Sequence, residues 1–175
     1  MGTANCVQTD DERLAERLAR ASKVEHAFAK IVLVSGGFDP LHIGHIRMLQ
    51  HAHTFGRVYV ALNSDRWLVK KKGAAFMPWN QRAEILSELR SVFTVLHVRD
   101  ADGTVCEALS RVRPHYFANG GDRTTPNEKE HAFCERAGIE ELFNIGGGKV
   151  ESSSALLRRH GTLAARDSHK DAVSG

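Results

Sequence analysis

Ser35-Gly36-Gly37-Phe38-Asp39-Pro40-Leu41-His42-Ile43-Gly44-His45 is the stretch on which the fold turns. It follows Lys30-Ile31-Val32-Leu33-Val34, a β-branched run of strand length. It precedes Ile46-Arg47-Met48-Leu49-Gln50-His51-Ala52-His53, which Gly56 closes and which reads as a helix with a glycine past its end. A strand that turns through glycines into a helix gathers backbone N–H groups and the positive end of the helix dipole at one point, which favours a bound phosphate. His42 and His45 are three residues apart at the helix start, so they share a face and can reach the same anion.

Outward from this turn the chain alternates between two periodicities. Residues 1–29 are expected to form an N-terminal helical extension, with Leu14, Leu18 and Ala21 at helical spacing from about Asp10 onward. A first strand over about Lys30 to Ser35 and the turn's helix are followed by Arg57-Val58-Tyr59-Val60-Ala61-Leu62-Asn63, whose near-continuous apolar character predicts a strand buried on both faces. Asn63-Ser64-Asp65 opens a short helical piece through Val69, and Lys70-Lys71-Lys72 with Gly73 reads as an exposed loop. A helix over Asn80 to Leu89, a strand over about Val92 to Val98 and a helix over Thr104 to Val112 come next. His115 to Ala118 is a strand stopping at Asn119-Gly120-Gly121-Asp122; a helix over about Asn127 to Ala137 follows, ended by Gly138. Glu141 to Ile145 is a last strand running into Gly146-Gly147-Gly148-Lys149, and Ser152-Ser153-Ser154 offers caps to a helix over Ala155 to His160. Residues 161–175 are polar and small, and are expected to be a disordered tail. The rhythm predicts an α/β fold: a Rossmann-like, doubly wound sheet of about five parallel strands with helices on both faces, a domain spanning 30–160. In such sheets ligands sit outside the carboxyl ends of the strands, where the loops at Gly36, Asn63, Asn119 and Gly146 fall.

Composition narrows the function. A hydrophobic content of 42% and a charged content of 26% belong to an ordinary soluble domain, and no apolar run is long enough to span a membrane. A cytoplasmic location with no membrane partner is the expectation. Cys6, Cys106 and Cys134 are odd in number and lack C-x-x-C spacing, which predicts reduced thiols. The net charge of +3 is spread along the chain and makes no nucleic-acid stripe; Lys70 to Lys72 suits a small anionic ligand. His51 and His53, two apart on a helix, do not share a face, so no metal site is expected there. Neither common nucleotide fingerprint is present. G-x-G-x-x-G spacing is absent, and Gly148-Lys149 lacks the glycine and hydroxyl residue that a phosphate loop needs at positions 143 and 150.

What is left, F-D-P-L-H-I-G-H over Phe38 to His45, resembles the H-x-G-H hallmark of the cytidylyltransferase-like nucleotidyltransferases. That family includes glycerol-3-phosphate and ethanolamine-phosphate cytidylyltransferases, the adenylyltransferase domain of ADP-heptose synthesis, pantetheine-phosphate adenylyltransferases and archaeal FAD synthetases. The resemblance runs from about Lys30 to Arg159. Asn63-Ser64-Asp65 with its downstream lysines resembles the family's segment after the second strand. Asn80 to Leu86 resembles its E-R-x-x-x-L helix, with Asn-Gln replacing the usual acidic residue. Gly120-Gly121-Asp122 resembles its G-G-D turn, and Glu151-Ser152-Ser153-Ser154 its terminal G-x-S-[ST]-[ST] segment, with Val150 and Glu151 departing from the commoner form. Class I aminoacyl-tRNA synthetases also carry H-I-G-H, but this chain is far too short and has no K-M-S-K-S loop.

The resemblance implies a site. His42, His45, Lys70 and Arg82 would act on the reacting phosphates. Gly36, Gly37, Phe38, Asp39 and Gly44 of the turn, Gly120 and Asp122, Ile145 and Gly147, and Ser152, Ser153 and Ser154 would hold the nucleotide. Asn63, Asp65, Lys71 and Lys72 would meet the acceptor. Asp39 is read as fixing its loop rather than as a base. Trp67 and Trp79 flank the lysines, closing over the acceptor or packing. The implied reaction moves a nucleoside monophosphate from CTP or ATP, with Mg²⁺, to a small phosphorylated sugar or polyol and expels pyrophosphate. A homodimer is the family's common state. The competing readings are a nucleotide-cofactor adenylyltransferase, with phosphopantetheine, FMN or NMN as acceptor, and a non-catalytic nucleotide sensor.

Overall fold

The structure, a computed structural model, describes residues 30–120, 127–148 and 151–157. The leading helix expected over residues 1–29, Gly121 and Asp122 of the glycine turn, Lys149 and Val150, and the polar residues 161–175 lie outside the described residues. In chain order the elements are β1 (Ile31–Gly36), α1 (Ile43–His53), β2 (Arg57–Leu62), α2 (Asp65–Lys72), α3 (Trp79–Ser87), β3 (Thr94–His97), α4 (Cys106–Val112), β4 (Tyr116–Gly120), α5 (Glu128–Ala137) and β5 (Glu140–Ile145). A helical turn over 153–157 follows. The strands lie side by side as β3-β2-β1-β4-β5, all parallel.

The two-residue period of the strands builds two cores. Val32 and Val34 of β1, Val58, Val60 and Leu62 of β2, and Ala118 of β4 point to one face, where Met48, Leu49 and Ala52 of α1 and Leu86 of α3 cover them. Leu33, Ala61 and Phe117 point to the other, against Ala108 and Leu109 of α4 and Cys134 of α5. Each such side chain fully buried is worth about 1.5–3 kcal/mol of transfer free energy. Helices therefore cover both faces, and the strand order reverses between β1 and β4, which opens a crevice at their carboxyl ends.

Several boundaries differ from the sequence expectations. Lys70, Lys71 and Lys72 form the last turn of α2, and the chain leaves the helix only at Gly73, φ +89°. Lysine is a good helix former, and cations suit a helix C-terminus; Ser64 caps the other end, accepting the Trp67 N–H. β3 is shorter than expected because the Val92 N–H bonds the Leu89 carbonyl in a turn. α4 starts at Cys106, since the Asp102 carboxylate takes the Thr104 N–H and hydroxyl in a local turn. β4 continues through Asn119 to Gly120, where a bulge lets Gly120 pair with Ile145.

Candidate active site

The two histidines of the opening turn are built into the helix start. His42 is the N-cap of α1, and its Nδ1 accepts the Gly44 N–H at 3.2 Å, while Nδ1 of His45 accepts the His42 N–H at 3.3 Å. This is a capping box made of imidazoles. The rings stack, with centroids 3.7 Å apart and planes 23° from parallel, and Phe38 packs on His45 at 4.8 Å. Because each Nδ1 accepts a backbone N–H, each neutral ring carries its proton on Nε2. Both residues line the pocket, so the pair offers it two N–H donors. Burial lowers both pKa values. That of His45 falls to about 3, with His42 and Lys72 adding to the effect of burial. Burial likewise lowers His42, against the attraction of Glu151 and together with Lys72. Both rings are thus neutral donors at pH 7. Gly44 fits closely here: a Cβ on it would stand 3.0 Å from Cε1 and 3.1 Å from Nδ1 of His42, so the ring would have to give by a few tenths of an ångström.

The pocket has a volume of about 370 Å³ and runs across the β1/β4 crevice, within the size of small-ligand sites. Ser35, Gly36 and Phe38 form one side; Asn119, Gly120 and residues 145–148 form the opposite side; Lys71, Lys72 and residues 151–154 close it. Lys72 donates to the Asp39 carbonyl at 3.0 Å, and burial, opposed by Asp39 and reinforced by Arg82, lowers its pKa. Ser153, 7% exposed, donates to the Pro40 carbonyl at 3.0 Å and so docks the last described segment on the turn. Ser152 caps the turn over 153–157 by accepting the Ala155 N–H, while its own N–H goes to the Glu151 carboxylate.

Of the expected site residues, the structure brings Gly36, Phe38, His42, Gly44, His45, Lys71, Lys72, Gly120, Ile145, Gly147, Ser152, Ser153 and Ser154 together around this pocket. Gly37, Asp39, Asn63, Asp65, Lys70 and Arg82 stand outside its lining. Arg82 is 1% exposed; Nε donates to the Met77 carbonyl, Nη1 to the Gly37 and Asn63 carbonyls, and Nη2 pairs with Asp65. Four of its five N–H groups are engaged inside the protein, and the side chain does not line the pocket. Asp65 is engaged by Arg82 and by the Trp79 N–H, and the Asn63 amide by Asp100. Asp39 is fully buried, its carboxylate accepting the Phe76 and Met77 N–H groups; that fits the loop-fixing role expected of it. Gly37 contributes a carbonyl to Arg82, and a Cβ on it would meet Leu68 at 2.6 Å. Lys70 faces a neighbouring hollow of about 430 Å³ with Arg66, Trp67 and Lys71. Trp79 packs beneath, its indole N–H on the Leu62 carbonyl.

Ser35, Met48 and Glu151 also line the pocket and were not anticipated as site residues. Met48 lies four residues after Gly44, one helical turn along the same face, which was the available signal. Among the described residues no group of three or more His, Cys, Asp and Glu is placed to hold a metal, and no helix is long and apolar enough to cross a membrane. Mg²⁺ is bound mainly by substrate phosphates with one or two carboxylates, and Glu151 supplies a carboxylate at the pocket. The residues present fit an ion that comes with a triphosphate.

A parallel α/β sheet with neutral imidazole donors at a helix start, at its switch point, defines a nucleotide-handling domain. Residues 33–154 match the family model described as cytidylyltransferase-like, and the chain belongs to that family of nucleotidyltransferases. It is similar to the bifunctional protein HldE of Geotalea uraniireducens, 36% identical over 141 residues, which take in 78% of this chain and 26% of that protein. The bifunctional protein HldE of Pelobacter propionicus is 34% identical over 148 residues, 81% of this chain and 28% of that protein. The chain thus spans about a quarter of the length of these curated relatives. The lipopolysaccharide core biosynthesis protein of Thermoplasma volcanium has the same fold, with a TM-score of 0.60 at 22% identity over 69% of this chain and 98% of that one.

Proposed function

We propose that this chain transfers a nucleoside monophosphate from CTP or ATP to a small phosphorylated sugar or polyol, releasing pyrophosphate. The observation that carries the reading is the stacked pair of neutral histidines, held by backbone bonds with both Nε2–H groups left for the pocket. A phosphate oxygen of the acceptor attacks the α-phosphorus in line; that P–O bond forms as the bond to the bridging oxygen breaks, and its electron pair leaves on pyrophosphate. Such transfer needs positioning and charge stabilisation rather than a covalent enzyme intermediate. His42 and His45 donate to the oxygen on which charge develops. Lys71, Lys72, the hydroxyls of Ser152 and Ser154 and the N–H groups of Ser153 and Ser154 hold the outer phosphates. Mg²⁺ would be held by the triphosphate oxygens and the Glu151 carboxylate, and would supply neutralisation of phosphate charge there. The base lies against Gly120 and residues 145–148.

The hollow beside Arg66, Trp67, Lys70 and Lys71 is the place for the acceptor, because Lys71 lines both spaces and its three cations suit a phosphate ester. The HldE relatives favour the sugar-phosphate branch of the family. The test is pyrophosphate release with CTP or ATP against a panel of sugar phosphates, polyol phosphates, phosphopantetheine, FMN and NMN. Turnover with a sugar or polyol phosphate is expected. Turnover only with the cofactor precursors moves the enzyme to that branch, and nucleotide binding without turnover on any acceptor overturns the transferase reading.

A further inference from the structure

The helix that begins at the two histidines also reaches the opposite wall of the pocket. Gly44, Met48 and His51 fall at positions i, i+4 and i+7 of α1 and so form one stripe. Gly44 meets His42, as described. Met48 fills the gap between the ends of β4 and β5: a Cβ on Gly120 would stand 2.0 Å from its Sδ, and one on Gly146 2.7 Å from its backbone N and Cα. His51 then accepts the Gly146 N–H on Nδ1 at 3.0 Å, across 95 positions of sequence.

The wall that His51 touches is an unusual length of backbone. Asn144 has φ +54°, Gly146 +94° and Gly147 +79°, so three of four consecutive residues sit in the left-handed region, which glycine, and less readily asparagine, adopts. Ile145 between them is 4% exposed. Within the bend one bond is made, from the Gly147 N–H to the Asn144 carbonyl at 3.3 Å. Gly146 is pressed against the backbone of α1 at Met48, so the direction of its N–H fixes how residues 145–148 face the pocket they line.

We infer that His51 is a positioning residue for nucleotide binding: its Nδ1 fixes the bend over 144–147 through the Gly146 N–H, and with it the backbone that faces the base. The inference rests on the proposed nucleotidyl transfer, in which that wall meets the base. His51 is exposed and does not line the pocket; its ring packs on Phe55 at 5.6 Å, and its bond to the pocket wall is the one to Gly146.

Asparagine is the decisive replacement, because its Oδ1 stands where Nδ1 of histidine does and accepts the same bond. Glutamine carries its acceptor one bond further out. Titration of the full-length chain with CTP and with ATP is expected to show His51→Ala weakening the preferred nucleotide about three- to tenfold, the range of one net hydrogen bond. The ratio between the two nucleotides should shrink as well. His51→Asn should stay within about twofold of the wild type, and His51→Gln should follow alanine. Amide exchange at Gly146, read without ligand, should quicken in His51→Ala and keep its protection in His51→Asn. Wild-type affinity in the alanine variant, or an asparagine variant no better than alanine, overturns the inference while leaving the transferase reading intact. Failure of the wild type to bind either nucleotide overturns both.

Discussion

At His45, burial does chemical work. An exposed imidazole would be partly protonated near its ordinary pKa of 6.5, whereas the folded ring resists protonation down to about 3. In the proposed transfer the ring therefore enters as a neutral donor at every physiological pH. The same shift couples to stability: between these values the unfolded chain binds a proton that the folded protein refuses. The stabilisation present above pH 6.5 is thus lost as pH falls towards 3, with a slope of at most about 1.4 kcal/mol per pH unit for one site. His45→Gln removes this titration, so denaturation at pH 7 and pH 5 should show a smaller pH dependence than in the wild type. An unchanged slope would sink the assignment. If His45 donates to the developing charge as proposed, kcat of this variant should also fall about 10²- to 10³-fold, with a much smaller change in nucleotide affinity. Gly44 separates geometry from stability. Gly44→Ala places a methyl 3.0 Å from the His42 ring, displacing it by tenths of an ångström, yet alanine gains about 0.5–1 kcal/mol over glycine in a helix. Its kcat should drop about tenfold or more with Tm unchanged or higher; a fall in Tm that parallels the activity would argue against local displacement of His42.

Among the elements, Arg82 ties α3 to three others. It reaches the β1–α1 turn through Gly37, the end of β2 through Asn63 and the start of α2 through Asp65. Removing it orphans carbonyls and leaves a cavity in a fully buried place, so Arg82→Ala should cost at least about 3 kcal/mol in urea denaturation. Asp65 is 44% exposed on its side chain, so solvent screens the ion pair and most of that cost lies in the carbonyl bonds. A variant of near-wild stability with sharply weaker nucleotide binding would return Arg82 to the phosphates. Sequence spacing put Arg82 on a helix and even on the correct one, but did not reveal which way it faced. That depends on Gly37 and Asn63, 45 and 19 positions away. The strands were legible for a simpler reason: Val32, Leu33 and Val34 are buried on alternating faces, and a parallel strand covered on both sides needs an unbroken apolar run. The end of α2 was misread because three lysines resemble a solvated loop as much as a helix terminus. The capping box was hidden for a similar reason, since imidazoles rarely take the place of Ser and Glu.

For the molecule as a whole, the pocket joins parts that the sheet alone holds loosely. Its lining comes from β1, α1, α2, β4, the end of β5 and residues 151–154, and β1 and β4 meet over only three paired residues, against six between β1 and β2. A ligand bridging β1 and β4 therefore strengthens the narrowest pairing in the centre of the sheet. Any ligand that binds only the folded state stabilises it by mass action, about 2.7 kcal/mol at a hundred times its Kd. For a chain of 175 residues this corresponds to a rise in Tm of about 5–10 °C. CTP or ATP with Mg²⁺ should produce that rise. Inorganic pyrophosphate, which reaches the lysines and serines but not the wall over 145–148, should produce a smaller one. Because the proposed phosphate contacts of Lys71 and Lys72 are charged and on exposed residues, the pyrophosphate effect should decline steeply between 50 mM and 500 mM salt, while the nucleotide should keep the share that comes from its base. Equal shifts from nucleotide and pyrophosphate would mean that the glycine-lined wall contributes nothing to recognition, and that only the half of the pocket around His42, Lys72 and Ser153 binds.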